Sequence, residues 1–472
     1  MLTLFVLDKM KDSIKDKSEQ KVLKGQFDRM TKTPVPALVL MLSVPTIISM
    51  LVTNIYNLVD TAFVGQLGNS ASGAVGIVFG FMSILQAIGF LFGQGSGSIL
   101  SRRLGEGDVE GASQTASVGF FSALTLAVIT EIICLVFLHP LVMMLGSTET
   151  IAPYAQTYIF YILLAAPFMS TSFTLNNILR YEGKAALGMR GLLTGAVMNI
   201  AGDAILMFGL KLGIAGAGIS TAISQIASFA ILLGMFLRGK TVCRLSFKVF
   251  LKGLKQIPNV TTTGFPSLLR QGLSSITTVM LNSQAAVYGD VAVAAMSIVS
   301  RVMFFVFSIA IGIGQGFQPV SGFNYGAKRY DRVKQGYKFT ILAAEILMSV
   351  FCIAIILNPD TIIRLFRDDD MVVQIGARAL VLQGLAQLFM PFTMVTEMLF
   401  QSTGKRLYAT LLSGTRSGLF FIPALLILAN LRGLSGIQEA QPVAFVASVI
   451  PTIFLAAKFF KEMPKQESAD TT

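Results

Sequence analysis

Charge is what this sequence has least of. Only 13% of its 472 residues are Asp, Glu, Lys or Arg, about half the share usual in a soluble domain. Too few polar side chains are present to cover the surface of one or two water-exposed domains, and a mean hydropathy of +0.70 agrees. The chain reads as an integral membrane protein. Histidine occurs once, at His139, tryptophan is absent, and the cysteines Cys134, Cys243 and Cys352 are scattered. That inventory cannot build a Cys/His zinc site or a haem site with two His ligands, and it contains no disulfide framework or CxxC redox motif. No G-x-x-x-x-G-K-[ST] is present, so P-loop ATP hydrolysis is excluded; Gly322 to Lys328 has the wrong spacing and simply ends a span. Any energy must come from an ion gradient. No cofactor is implied, and no enzyme: an intramembrane active site would need a cluster of His, Asp, Glu or Cys that is not there.

What the chain does have is long apolar runs. A bilayer-spanning helix needs about 20 mainly apolar residues, and twelve such runs occur, at roughly 37–63, 72–98, 115–138, 154–179, 188–210, 215–237, 260–287, 292–320, 338–358, 375–401, 405–430 and 441–459. Their connections alternate in character. Arg102 and Arg103, Arg180 to Arg190, Arg238 to Lys255, Lys328 to Lys338, and Lys405 with Arg406 fall on one side, together with Lys9 to Lys32 and Lys458 to Lys465. Connections of the other parity hold almost no Lys or Arg, except 359–374, where Arg364 and Arg367 sit beside three aspartates. Positive charge stays cytoplasmic, so both termini are expected inside, and the net charge of +12 is topology rather than a nucleic-acid patch. The opening MLTLFVLDKM is too short an apolar run for a signal peptide. Residues 1–33 read as a charged, frayed arm and the final residues as a disordered tail.

Sliding the sequence on itself by 221 positions aligns the first two spans of each half without gaps. Pro45 falls on Pro266, Gly68 on Gly289, Gly93-Gln94-Gly95 on Gly314-Gln315-Gly316, and Gly105 on Gly326. Six spans per half make these parallel repeats, related by an axis along the membrane normal, as in secondary transporters that handle substrate between two lobes. The expected fold is all-α, twelve transmembrane helices in two six-helix lobes with pseudo-twofold symmetry. The expected divisions are a cytoplasmic arm (1–33), a first lobe (34–237), a linker (238–258), a second lobe (259–461) and a cytoplasmic tail (462–472).

Charges inside a span cost several kcal/mol and normally face water or a partner. Asp60, in Tyr56-Asn57-Leu58-Val59-Asp60, and Asp203, in Asn199-Ile200-Ala201-Gly202-Asp203, stand out. Tyr56 shares a helix face with Asp60, and Asn199 with Asp203. Spans 1 and 5 run the same way, which puts both carboxylates at similar depth, and Thr221 in span 6 reaches that level. Two carboxylates close together in low dielectric cannot both ionise easily, the physical requirement for proton exchange. Amide, hydroxyl and carboxylate oxygens would equally serve Na⁺. The bland alternative is that Asp60 caps a helix at the interface and Asp203 bonds a neighbouring helix. Glu131, Glu345, Arg270, Arg301, Glu397 and Arg416 have no mutual spacing that names a site. Glu397 and Gln401, an i,i+4 pair, together with Arg301, are candidate linings of a second-lobe cavity, while Arg301 and Arg416 serve equally well as interhelical locks or snorkelling residues.

Several ordered stretches resemble the multidrug and toxic compound extrusion (MATE) family: Pro45 through Asp60-Thr-Ala-Phe-Val-Gly65-Gln-Leu-Gly68, Ser101-Arg-Arg-Leu-Gly105, Asn177-Ile-Leu-Arg180-Tyr-Glu-Gly183, Gly264-Phe-Pro266, Gln318-Pro319 to Lys328, and Gln401-Ser-Thr-Gly404-Lys405. The resemblance runs from about Pro34 to Lys461. It implies two six-helix lobes and cation-coupled efflux of drugs across the bacterial plasma membrane by alternating access. Similarity to the DinF-like branch implies a first-lobe H⁺ or Na⁺ site of Asp60, Asn199, Asp203 and Thr221 with Tyr56, a span 4 asparagine at Asn176, and a bend at Pro45. Another branch's acidic residue in span 7 has no counterpart in Gly272-Leu-Ser-Ser275. The expected partners are small-molecule drugs and the lipid bilayer, with no nucleic acid and no second subunit. The rival within transport is a lipid-linked oligosaccharide flippase of the same superfamily, which the acidic first-lobe pair disfavours.

Overall fold

The structure is a computed structural model, and it describes residues 24–464. Residues 1–23 of the expected arm and 465–472 of the expected tail lie outside the described residues. Helices α2 (Val35–Gly65), α3 (Asn69–Gly105), α4 (Val109–Val136), α6 (Ala152–Tyr181), α7 (Ala185–Asp203) and α8 (Gly213–Leu237) supply the six spans of the first half, with the short α5 (Leu138–Met144) between α4 and α6. Spans of the second half are α10 (Ile257–Ala286), α11 (Asp290–Gly326), α12 (Tyr330–Leu357), the pair α14 (Asp370–Gln387) and α15 (Met390–Thr403), the pair α16 (Arg406–Gly414) and α17 (Phe421–Arg432), and α18 (Leu434–Glu462), with the short α13 (Pro359–Phe366) between α12 and α14. Among the described residues there is no strand. Ten helical segments are long and apolar enough to cross a bilayer, and α14 with α15, bent by 49° at Leu388-Phe389, supplies an eleventh. The twelfth, α10, is 30 residues long but rich in Thr, Ser, Asn and Gln. It tolerates them because it packs along α3, where partners await: Gln271 Nε2 donates to Gln86 Oε1 at 3.0 Å.

Besides the bent pair α14 and α15, two spans leave regular α geometry. Immediately after Asp203, α7 continues as a π-helical segment, Ala204–Gly209, and Thr415–Phe420 forms the same irregularity between α16 and α17. A π turn inserts one extra residue into the helical ladder and is common at functional sites. Pro45, by contrast, sits inside α2 without interrupting it.

The lobes meet backbone on backbone. A Cβ added to Gly95 would overlap the Val260 carbonyl and crowd Gly264, and one on Gly264 would overlap the Leu91 carbonyl. The same contact recurs 221 positions on: a Cβ on Gly316 would overlap the Ser43 backbone. At the last residues of α3 and α11, Gly105 abuts the Phe323 carbonyl and Gly326 the Arg102 carbonyl, again a 221-residue exchange. Small residues let helices approach this closely where water cannot drive them together. The repeated glycines are therefore the interlobe contact itself, written twice.

Polar side chains lock the same half. Arg180 Nη1 donates to the Gln315 carbonyl at 2.6 Å and to Gln318 Oε1 at 3.0 Å, and Arg180 Nη2 bonds Asn177. Gln318 donates to Gln401, Gln401 to Ser267 at 2.7 Å, and Ser267 to Gln94 at 2.7 Å. Farther from the basic end, Asn54 Nδ2 still reaches Ser308 Oγ at 2.6 Å. Beyond that level the faces that helical spacing continues on α2, α3, α10 and α11 carry the exposed Leu58, Ile84, Val279 and Phe304. The lobes are joined at the basic end and parted at the other.

Segments expected to be loose are docked. The arm contains a helix, α1, over 24–32, against the expectation of a frayed segment. Its Gln26 Nε2 donates to the Glu182 carbonyl at 2.6 Å, while its Met30 carbonyl accepts from Asn324 at 3.1 Å and Arg332 reaches the Thr33 carbonyl at 2.5 Å. It so touches both halves of the chain. Within 238–258, the short helix α9 (Phe247–Lys252) lays Phe247 and Phe250 against Phe121 of α4, and the Glu182 carboxylate accepts from the backbone of Val242 and Cys243. Both described chain ends lie at the basic end, since Phe459 of α18 packs on Tyr325 and Phe400.

Substituting Gly264→Ala should therefore cost about 1–3 kcal/mol, the usual range for overpacking. Gly272→Ala, where nothing lies within 4 Å of an added Cβ, should leave stability unchanged. Thermal unfolding of the two purified variants in detergent checks the contrast.

Candidate functional site

In the half of the first lobe away from the basic end, four helices converge on two carboxylates. Asp60 comes from α2, Tyr158 from α6, Asn199 and Asp203 from α7, and Ser220 and Thr221 from α8. Glycines bring α7 and α8 together: a Cβ on Gly202 would crowd Ser220 Oγ, and one on Gly216 would meet the backbone of Leu206 and Met207. All six side chains are buried; Asp60 is 8% exposed and Asp203 0%.

The hydrogen bonds leave this cluster short of donors. Tyr158 OH donates to Asp60 Oδ2 at 3.2 Å. Asn199 Nδ2 donates to Thr221 Oγ1 at 3.2 Å, and Ser220 Oγ to the Asn199 carbonyl at 2.9 Å. Asp60 and Asp203 adjoin, and neither can donate to the other unless one carries a proton. Asp60 Oδ1, both carboxyl oxygens of Asp203 and Asn199 Oδ1 are buried without a partner among the described residues. Native structures rarely bury polar atoms unpaired, and an unpaired buried charge is costlier still. Four convergent bare acceptors are what a proton or a hard cation would satisfy. Among the described residues no three His, Cys, Asp or Glu side chains gather, so a cation here would draw on amide and hydroxyl oxygens as well.

Asp60, Asn199, Asp203 and Thr221 thus come together. Tyr56, one turn from Asp60 and beside Gln225, lines a small cavity with Thr53, Asn199, Ser224 and Ser228 that adjoins the cluster. Asn176 does not join them. Its amide lies against Gly188 at the start of α7, about 22 Å along that helix from Asp203 at 1.5 Å per residue. Span 4 contributes Tyr158 instead. Nothing marked Tyr158 in the sequence, because a tyrosine near a span end reads as an ordinary interfacial residue. Pro45 lies in the interlobe contact zone, between Ser43 and Ile47.

The second-lobe candidates do not form one site. Glu397 is buried in an ion pair with Arg270 at 2.5 Å and accepts from Ser413 at 2.7 Å. Gln401 belongs to the interlobe hydrogen-bond chain, and Arg301 is exposed on the face of α11 where the lobes part. The cavity of that lobe is lined elsewhere, by Ser274, Gln383 and Arg416 among others.

The comparisons agree with this frame. A family model described as MatE matches the chain twice, over residues 45–205 and 266–427, once in each set of six spans. The chain belongs to the MATE family. It is 28% identical over 410 residues to the multidrug export protein MepA of Staphylococcus saprophyticus, covering 85% of this chain and 89% of that protein. MepA of Staphylococcus aureus N315 is also 28% identical, over 414 residues, 86% of this chain and 90% of the relative. A MATE protein crystallised in complex with MaL6 superposes with a TM-score of 0.85 at 25% identity, covering 92% of this chain and 98% of that one. An outward-facing multidrug resistance MATE transporter of the MOP superfamily gives 0.86 at 24% identity, with the same coverage. The chain is thus a membrane transporter of the MATE family of multidrug efflux proteins, and not an enzyme.

In this MATE protein Tyr158 is the donor that Asp60 has. Tyr158→Phe should lower stability by about 1 kcal/mol, the net worth of one hydrogen bond. In the Asp60→Asn background the same change should cost less, and a double-mutant cycle of thermal unfolding measures that coupling.

Proposed function

We propose that this transporter is an antiporter that exports amphipathic and cationic organic drugs across the bacterial plasma membrane, driven by H⁺ or Na⁺ taken up at Asp60 and Asp203. The observation that carries the reading is the buried pair of adjoining carboxyls with oxygens left unpartnered. The relatives named multidrug export proteins support the substrate class.

On this reading the basic end is cytoplasmic, both termini are inside, and the parted end faces outward. The protein acts as a monomer, with residues 34–237 and 259–461 as the lobes and 238–258 as the cytoplasmic linker. A cation from outside reaches Asp60, Asp203, Asn199 and Thr221, with Tyr56 and Tyr158 beside them. Loading removes the mutual repulsion of the carboxylates and relaxes the demand of the bare acceptors. Packing of α2 against α7 then changes, α2 flexes near Pro45, and drug leaves outward. The reverse swing releases the cation inside, and the gradient sets the direction. A ligand shifts such an equilibrium only by its difference in affinity for the two states, so the cation must bind the outward-open and inward-open forms unequally. The flippase alternative gains nothing from the site: an acidic pair buried within one lobe is suited to a small cation, not to a phosphorylated glycolipid.

Ethidium efflux from proteoliposomes under imposed pH and Na⁺ gradients, singly and together, tests the proposal. Wild-type protein should export against its gradient, and the effective ion identifies the coupling. Asp203→Asn should elute as folded monomer yet move ethidium no faster than protein-free liposomes. Gradient-driven efflux by that variant at the wild-type rate would sink the coupling role.

A further inference from the structure

A buried charge in the second lobe has no use in the scheme above. Glu397 and Arg270 form a complete pair, with Ser413 as a third member. Close by stands a second guanidinium, Arg416, only 8% exposed. Among the described residues it has no hydrogen bond and no carboxylate of its own. Its neighbours are the ring faces of Phe307 at 5.1 Å and Phe445 at 5.8 Å. Arginine does not give up its proton in a protein, so the cluster Arg270, Glu397 and Arg416 keeps a net positive charge.

That charge borders a cavity between α10, α11, α14 and the segment Thr415–Phe420. Gln383 of α14 lines the same cavity, is 2% exposed, and leaves its Nε2 without an acceptor. The hydroxyls of Ser274 and Ser417 add further donors. Phe304 connects the cavity to the exposed face of α11 where the lobes part. One wall therefore offers a cation and the unspent Gln383 Nε2, with the unpartnered Gln387 Oε1 one turn along the same helix, and the rest is hydroxyl, aliphatic and aromatic. The first-lobe cluster gathers bare acceptors around two carboxylates; this one gathers polar groups around a guanidinium.

We propose that this cavity is an anion-binding subsite, which takes the carboxylate of an aromatic organic acid on Arg416 and Gln383 with its ring against Phe304 and Phe421, which also line it. A small inorganic anion would satisfy the same donors, and the test separates the two. The inference goes beyond the export reading, which names cationic drugs, by assigning the second lobe an anionic ligand. Its test is a binding measurement that needs no gradient, so its failure would leave ethidium export untouched.

The chain has no tryptophan, so the fluorescence anisotropy of 2-naphthoate reports binding to the full-length protein in nanodiscs against a dark background. Wild type should bind 2-naphthoate more tightly than 2-naphthylmethylammonium. Arg416→Gln should weaken naphthoate about tenfold or more, the effect of losing a charge-assisted hydrogen bond, and Arg416→Lys should restore part of it. If Arg416→Gln does not fold, Gln383→Leu, outside the ion pair, carries the test and should weaken naphthoate severalfold. Displacement of naphthoate by millimolar chloride would mark an inorganic anion as the occupant, and resistance to chloride an organic acid. Equal naphthoate affinity in wild type and Arg416→Gln, or tighter binding of the ammonium, would overturn the proposal.

Discussion

Backbone laid directly on backbone, α3 on α10 and α2 on α11, is the contact from which the rest of the arrangement follows. Three glycines, Gly95, Gly264 and Gly316, leave no side chain at these crossing points, and Gly105 and Gly326 do the same where α3 meets α11. In lipid, where apolar surface gains little by meeting apolar surface, such intimate van der Waals packing is a main source of helix association. Because two of the contacts are related by the 221-residue repeat, the seam is self-complementary, as at a twofold interface. It lies in the half toward the basic end, so the lobes are pinned there and free to diverge beyond Asn54 and Ser308. Both polar clusters sit within single lobes, outside the seam, where packing is not already committed to holding the halves together.

The two clusters are unlike in a way that burial makes meaningful. A buried acceptor without a donor, and a buried donor without an acceptor, are each costly. The first lobe gathers the former at Asp60, Asp203 and Asn199, while the second holds the unpaired Gln383 Nε2 and Gln387 Oε1 beside the buried Arg416 guanidinium. Each borders a π-helical segment in the corresponding span of its lobe.

Much of the frame was legible in the sequence because the bilayer allows few solutions. Twelve apolar runs and the alternation of basic loops left little choice of architecture, and charge is so sparse that Asp60 and Asp203 were conspicuous. The repeat pointed to Gly95, Gly105, Gly316 and Gly326 without saying what they do; only the crossings of α3 with α10, of α2 with α11 and of α3 with α11 explain them. Residues whose role depends on a neighbouring helix were not legible. Gln401 looked like a cavity lining and is instead a rung between the lobes. Asn176 matched a family position by helix number but stands turns away from the carboxylates, and Tyr158 carries no sign of itself. The helix over 24–32 was missed because its apolar residues, Met30 above all, find their partners on other spans.

That small helix has a mechanical meaning. Its Gln26 is tied to Glu182 in one half of the chain and its Met30 and Thr33 carbonyls to Asn324 and Arg332 in the other. It lies across the closed end like a bolt across double doors. On the proposed alternating-access reading, opening that end breaks at least one of these two fastenings, so their strength adds to the cost of the inward-open state, independent of anything bound deep in either lobe.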